Sequence, residues 1–208
     1  MTEILKATEK NLIRAANLIR GGEIVAFPTE TVYGLGADGL NAAACEKIYS
    51  AKGRPPNKPL SLHVASLEMI ERVAKISAAA EKIFAAFCPG PLTVILPKRE
   101  IVPDFVTGGR QSVGIRFPAN EIALRLIKIA GCPIAAPSAN LSGKNPPKTA
   151  QEVLENLNGR VEIILDGGEC KFGISSTIVD MTATTPKILR RGAISEEMLK
   201  NILGDIEI

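Results

Sequence analysis

Short apolar runs alternate with helix-like segments along most of the chain, and this alternation constrains the fold more than any other feature. Apolar runs such as 92–96 and 133–136 are bounded by proline or glycine, which is typical of buried strands. Segments with a helical apolar period, such as 8–20, lie between them and begin at a capping residue. No repeat or linker-like segment interrupts the pattern. The sequence therefore predicts an α/β fold: a single domain, residues 1–208, with a twisted mixed β-sheet flanked by helices.

Capping residues, glycine stops and prolines predict the boundaries of the elements. Strands are predicted at 23–27, 60–64, 92–96, 112–117, 133–136, 161–165, 177–180 and 187–189. Helices are predicted after Thr8, Asn41, Ser66, Ser77, Asn120, Thr149 and Ser195. Thr149 and Glu152 have the spacing of a capping box. Residues 28–36, which contain two glycines, are predicted to form a tight loop.

Composition excludes several classes of protein. With 46% hydrophobic and 23% charged residues, the chain is typical of globular rather than disordered proteins. No apolar run approaches the roughly 18 residues of a membrane-spanning helix. Residues 1–20 lack the basic and apolar pattern of a cleaved leader. We therefore expect a cytoplasmic protein that does not associate with a membrane.

The cysteines predict neither a metal centre nor a disulfide framework. Cys45, Cys88, Cys132 and Cys170 are far apart, with no C-x-x-C pair and no neighbouring histidine. Free thiols in a reducing compartment are the better interpretation.

Polar residues are concentrated in three stretches that each follow a predicted apolar run or helix. They are FPTETVYGLG at 27–36, KGR at 52–54 with KPLSLH at 58–63, and PSAN at 137–140. Ligands of open α/β folds bind at the edge where strands end and loops begin. The three stretches therefore predict one site for a phosphate-bearing ligand and a second substrate.

Three cations belong to the second stretch. Lys52 lies at a predicted helix end, where the helix dipole alone would favour a cation. Arg54 and Lys58 lie beyond that end, on either side of a rigid Pro55–Pro56 pair. Cations held in this way suit a polyphosphate, although no P-loop pattern occurs in the chain.

Arg116 and His63 are polar residues inside predicted strands. An unpaired charge in the apolar strand 112–117 would be costly, so Arg116 either meets a buried carboxylate of the protein or binds one from a ligand. His63 is the only histidine. A single histidine in a strand is more often a packed core residue than a catalyst. Similarly, the hydroxyl groups of residues 28–36 could simply form hydrogen bonds with the backbone of their own loop.

Six motifs occur in a fixed order: F-P-T-E-T-V-Y-G-L-G, K-x-R, K-P-L-x-x-H, P-S-A-N, S-T-I-V-D and L-R-x-G. This order resembles the YrdC family of threonylcarbamoyl-adenylate synthases, over about residues 21–194. The resemblance implies a YrdC/RibB-like fold and a reaction among ATP, L-threonine and bicarbonate or CO2, with Mg²⁺ accompanying ATP. The product would serve the threonylcarbamoyladenosine modification of tRNA.

The same resemblance implies roles for individual residues. Those expected at ATP are Lys52, Arg54, Lys58, Ser112, Ser138, Asn140, Pro146 and Arg190, with Lys52 and Arg54 also catalytic. Those expected at L-threonine are Thr31, His63, Arg116, Ala136 and Ser176. The loop from Phe27 to Gly36 would then form a wall of the threonine pocket rather than a phosphate cradle.

The chain departs from the family pattern at Ser175, where an acidic or other residue is common, and at Arg191, where a proline is usual. It ends soon after Leu203, so it resembles the short family form, which is expected to act with partner proteins that transfer the group to tRNA. Two alternatives remain. One is a carbamoyl-adenylate-forming domain of the hydrogenase-maturation type, and the other is an RNA-binding module, with weak tRNA binding as a secondary property.

Overall fold

The computed structural model describes residues 1–207, so the predicted domain end at Ile208 lies outside the described residues. The strands are β1 (Glu3–Lys6), β2 (Val25–Phe27), β3 (Gly34–Asp38), β4 (Ser61–His63), β5 (Leu92–Pro97), β6 (Ser112–Arg116), β7 (Ile134–Ala135), β8 (Ile163–Asp166), β9 (Thr177–Asp180) and β10 (Lys187–Arg190). The helices are α1 (Glu9–Arg20), α2 (Ala42–Lys52), α3 (Leu67–Val73), α4 (Ala78–Phe87), α5 (Asp104–Thr107), α6 (Glu121–Ala130), α7 (Ala150–Leu157) and α8 (Glu196–Leu203).

The strands form a single mixed sheet with the order β1-β8-β2-β3-β7-β4-β6-β5-β9-β10. The pairs β1–β8, β2–β8, β4–β6 and β5–β9 are parallel, and the other neighbours are antiparallel. The predicted α/β fold with a mixed sheet is therefore confirmed. No helix within residues 1–207 is long and apolar enough to cross a lipid bilayer.

Helices cover both faces of the sheet because the strands carry apolar side chains on both sides. In β2, Val25 and Phe27 belong to a core formed with α1 and α6. The intervening Ala26 belongs to a second core, formed with α2, α3, α4, α7 and α8 on the opposite face. The central strands are thus fully covered, and only their ends are open to a ligand.

The predicted helix caps are all observed. Each capping side chain accepts a hydrogen bond from the backbone N–H three residues later, as Thr8 does from Asn11. Only one of the two hydrogen bonds of the predicted capping box is observed. Glu152 accepts its hydrogen bond from the backbone N–H of Lys148 rather than from that of Thr149.

Sequence patterns missed β1, β3 and α5. β3 begins inside the predicted loop, so that loop is only residues 28–33, and neither of its two predicted turn glycines has a positive φ. Gly36 serves close packing instead. A Cβ there would lie 2.6 Å from Phe27 Cε1 and 2.6 Å from Ile134 Cγ2. β3 can therefore lie between β2 and β7 only because this position carries no side chain.

Candidate functional site

A cavity of about 190 Å³ opens where the central strands end. Arg116 ends β6 and His63 ends the parallel β4, and the register of the two strands places them side by side. Thr93 of the antiparallel β5 pairs with Arg116 from the other side. The predicted site residues that line the cavity are Thr31, Arg54, His63, Arg116, Ala136, Ser138, Ser176 and Arg190.

The remaining predicted nucleotide residues do not line this cavity in the described part of the chain: Lys52, Lys58, Ser112, Asn140 and Pro146. Lys58 is exposed on the loop that follows α2, and Ser112 lies at the end of β6 remote from Arg116. Asn140 is a buried residue of the loop 137–140, whose Pro137 and Ser138 line the cavity, and Lys52 is buried next to that loop. Their assignment to the nucleotide stays a prediction.

Arg116 meets a carboxylate of the protein. Its Nη2 lies 3.1 Å from Oε1 of Glu30, and the two side chains are only 6% and 4% exposed. The same Nη2 donates a hydrogen bond of 2.8 Å to Oγ1 of Thr31. Burial lowers the pKa of the guanidinium and Glu30 opposes that shift, so Arg116 keeps its charge.

The ion pair with Glu30 leaves part of the Arg116 guanidinium without a hydrogen-bond partner. Its Nε has no hydrogen-bond partner among residues 1–207. The other buried atoms in that condition are Nδ1 of His63, Oδ1 of Asn140 and both carboxylate oxygens of Glu30. Buried polar atoms are rarely left unpaired, so the unpaired atoms of Arg116, His63 and the adjacent Glu30 indicate a site built for a ligand or for ordered water.

His63 is neutral in this environment. Burial, followed by the neighbouring charge of Arg116, lowers its pKa well below the usual 6.5. Its ring contacts Phe27 edge-on, with a centroid distance of 6.0 Å. His63 can therefore offer a hydrogen bond to a ligand but adds no positive charge to the cavity.

Lys52 points into the protein. Its Nζ donates hydrogen bonds to the backbone carbonyls of Ser138 and Asn140, and the side chain is only 3% exposed. In return, the backbone N–H of Ser142 donates to the Lys52 carbonyl at 2.8 Å. The end of α2 and the loop 137–142 are thus fastened together from both directions.

The stability that depends on Lys52 is expected to rise with pH. Burial, and then the charge of Arg54, lowers the pKa of Lys52 to about 7. An unfolded lysine keeps its proton up to a pH of about 10.4, so above pH 7 the unfolded state binds more protons than the folded state. The free energy of unfolding should therefore increase by up to about 1.4 kcal/mol per pH unit above pH 7.

Urea unfolding of the wild type and of Lys52→Met at pH 6.5 and 8.5 measures this contribution. The other titrating groups are common to both proteins, so their effects drop out of the difference in the free energy of unfolding. The wild type should gain stability over the variant at the higher pH. A difference that does not change with pH would mean that the two carbonyls hold the proton against the effect of burial.

Arg54 and Arg190 line the cavity and are held by backbone carbonyls. Arg54 donates from Nη2 to the Pro59 carbonyl at 2.9 Å, and Arg190 donates from Nε to the Ser176 carbonyl at 3.0 Å. Nη2 of Arg190 also donates to Oγ of Ser176 at 3.0 Å. Both guanidinium groups are thus oriented before any ligand binds, which reduces the entropy lost on binding an anion.

The loop 28–33 combines structural and site residues. Oγ1 of Thr29 accepts from the backbone N–H groups of Thr31 and Val32, so its hydroxyl does satisfy the local backbone. The Tyr33 phenol donates to the Gly168 carbonyl at 2.8 Å and holds a neighbouring turn. The hydroxyl of Thr31, by contrast, contacts the buried Arg116.

Glu30 and Thr93 are site residues that sequence reasoning missed. The isolated charge of Arg116 predicted a partner carboxylate, but many acidic residues in the chain were candidates. The signal for Glu30 was its place beside Thr31, in a polar loop directly after a strand. For Thr93, one threonine in an apolar strand gave no signal, because only the strand register brings it to Arg116.

The cavity suits an anion. Three arginines line it, and within residues 1–207 none of the lining side chains is a carboxylate. The described residues also contain no group of three or more His, Cys, Asp or Glu side chains that could hold a metal ion. Fold and cavity together define an α/β protein with a preformed cationic site for a small anionic ligand.

Comparison with known proteins identifies the family. The Sua5/YciO/YrdC family model, described as "Telomere recombination", matches residues 17–192. The chain therefore belongs to this family, as the ordered motifs predicted.

Several relatives carry the name threonylcarbamoyl-AMP synthase. The one from Pyrococcus abyssi is 50% identical over 195 residues, which is 93% of this chain and 57% of the relative. The one from Bacillus subtilis is 43% identical over 210 residues, which is 100% of this chain and 61% of the relative. A crystal structure of P. abyssi Sua5 complexed with L-threonine superposes with a TM-score of 0.97 at 47% identity, covering 99% of this chain and 62% of that one. This chain thus spans about three fifths of the length of these relatives.

Proposed function

We propose that this chain makes L-threonylcarbamoyl-AMP and pyrophosphate from ATP, L-threonine and bicarbonate or CO2, for threonylcarbamoyladenosine modification of tRNA. The observation that carries the proposal is the arrangement of three cavity arginines. Buried Arg116 has an unused Nε, and Arg54 and Arg190 lie in the same cavity. One cation is thus available for an amino-acid carboxylate and two are available for phosphates. Relatives named threonylcarbamoyl-AMP synthase, and a solved complex of one of them with L-threonine, support ATP and threonine as the substrates.

In this reaction the nucleophile comes from the substrates. The threonine amine adds to CO2, or to bicarbonate with loss of water, and gives a carbamate. A carbamate oxygen then attacks the α-phosphorus of ATP. A new P–O bond forms, and the bond to the β-phosphate oxygen breaks to release pyrophosphate. No serine or cysteine nucleophile is required, and the chain's contribution is to orient the substrates and to stabilise negative charge.

The residues of the cavity fit these tasks. Arg116 would bind the threonine carboxylate through its unpaired edge, with Thr31, His63, Ala136 and Ser176 around the amino acid. Arg54, Arg190 and Ser138 would bind the phosphates, where charge increases as pyrophosphate leaves. The walls of the cavity, to which the loops 28–33 and 137–140 contribute, would limit the access of water to the carbamate, which decomposes readily.

Mg²⁺ is expected to enter as part of the ATP complex. The oxygen atoms that line the cavity belong to hydroxyls and carbonyls, whereas Mg²⁺ bound by proteins usually has a carboxylate ligand in addition to phosphates and water. The described residues therefore suit a metal carried by the nucleotide. Partner proteins that transfer the product to tRNA, and a cytoplasmic location, complete the proposal.

Release of pyrophosphate from ATP, measured with each substrate omitted in turn, tests the proposal. We expect release only with ATP, L-threonine and bicarbonate together, and a product with the mass of threonylcarbamoyl-AMP. Arg54→Ala should lose this activity, whereas Arg125→Ala, which removes an exposed arginine of α6, should retain it. Release without threonine would contradict the proposal and favour a carbamoyl-adenylate-forming enzyme.

A further inference from the structure

Thr93, Ser176 and Arg190 form a continuous hydrogen-bonded chain at the cavity. Oγ1 of Thr93 lies 2.8 Å from Oγ of Ser176, and Nη2 of Arg190 donates to the same Oγ at 3.0 Å. Thr93 and Ser176 are 3% and 2% exposed, so water does not compete freely for these hydroxyls. All three residues line the cavity.

The contacts of Ser176 decide the direction of its proton. A serine hydroxyl accepts two hydrogen bonds and donates one. Arg190 is always protonated and occupies one acceptor position. If Thr93 donates to the other, the Ser176 proton has only the cavity to point into. If Ser176 donated to Thr93 instead, a lone pair of Ser176 would face the cavity and repel an anion. Because the cavity is lined by arginines and suits anions, the first arrangement is favoured.

Packing fixes the hydroxyl of Thr93 in the position required for this role. Its methyl carbon Cγ2 lies 3.3 Å from the place that a Cβ on Gly114 would occupy, so the methyl group covers this glycine. Threonine is branched at Cβ and has few accessible rotamers, so a fixed methyl group also fixes the hydroxyl. The parallel pairing of β5 with β9 brings the hydroxyl of Thr93 next to Ser176, which directly precedes β9.

We propose that Thr93 is a positioning residue: it donates its proton to Ser176 and thereby directs the Ser176 proton at an anionic oxygen of the bound substrates. This inference rests on the proposed function. Ser176 is expected at the amino acid and Arg190 at ATP, so the chain joins the two pockets. The oxygen that receives the Ser176 proton would therefore belong to the carbamate or to the α-phosphate that it attacks. A donor fixed before the reaction contributes most in the transition state, where this charge shifts.

Steady-state kinetics of Thr93→Val and Thr93→Ser test this role, because valine keeps the shape but not the hydroxyl. We expect Thr93→Val to lower kcat by roughly tenfold to a hundredfold, with little change in the KM for ATP or for L-threonine. Thr93→Ser should restore most of kcat. In a Ser176→Ala background, Thr93→Val should have no further effect, because its target is already absent. If Thr93→Val fails to fold, Thr93→Ala removes the same donor.

Thr107→Val is the matched control, because Thr107 is also buried but its hydroxyl contacts the Asp104 and Arg110 carbonyls away from the cavity. Its kcat should not change. Equal kcat for Thr93→Val and wild type, equal loss in the valine and serine variants, or an undiminished effect in Ser176→Ala would each overturn the role of Thr93. An inactive wild type would instead contradict the proposed function.

Discussion

Replacing Arg116 with alanine is expected to weaken threonine binding by about 100-fold or more, while ATP binding changes by less than about threefold. Arg116 lines the cavity, its guanidinium is buried, and its unpaired Nε would bind the threonine carboxylate. Arg54 and Arg190, which are expected at the phosphates, stay in place. Calorimetric titration of each substrate separately measures the two effects.

The same substitution leaves the Glu30 carboxylate buried without its partner, which typically costs about 3–5 kcal/mol of stability. A double variant, Glu30→Gln with Arg116→Met, removes both charges and separates folding from binding. It should recover stability but not threonine affinity. Equal weakening of ATP and threonine by Arg116→Ala, or normal threonine binding by the double variant, would contradict the placement of Arg116.

The Lys52→Met variant is expected to lose about 100-fold in kcat/KM, because the loop that carries Ser138 is no longer held. Lys52 supplies hydrogen bonds to two carbonyls of this loop, and methionine fills the space without supplying a donor. The loss should appear together with faster amide hydrogen exchange in residues 138–142 of the free protein. A lysine that only bound phosphate would leave exchange in the free protein unchanged.

Lys47→Met is the matched control for this experiment. Lys47 lies on the same helix, is exposed, and contacts Glu23 at the surface. Such surface pairs contribute at most about 1 kcal/mol, so activity and exchange should both stay close to the wild type. If Lys52→Met loses activity but its residues 138–142 exchange as slowly as in the wild type, Lys52 acts by direct contact with a phosphate, as its sequence position suggests.

Local sequence signals predicted most of the secondary structure. The helix caps, such as Asn41 and Asn120, were predicted correctly because a cap depends on residues three positions apart. The strand β3 was missed because Gly34 and Gly36 favour a turn when only neighbours are considered. The close packing of Gly36 against Phe27 and Ile134 depends on residues that only the tertiary structure brings next to it.

For the site, the ordered motifs were sufficient to predict the family, and eight of the residues that they single out line the cavity. They did not predict the orientation of the cations. Lys52 and Arg54 are two positions apart, yet Lys52 is turned inward to loop 137–142 while Arg54 lines the cavity. Orientation depends on which carbonyls lie nearby, and those belong to distant segments.

The sequence by itself therefore determined the α/β class, the start of seven of the helices and the chemical character of the site, because these depend on residue type and on local spacing. Only the tertiary structure showed that Arg116 forms an ion pair with Glu30, and that Thr93 is hydrogen-bonded to Ser176, which in turn accepts a hydrogen bond from Arg190. Both arrangements result from strand register and burial, which bring together residues that are separated by more than a helix or strand in the chain. A buried charge or hydroxyl acquires its role from those partners.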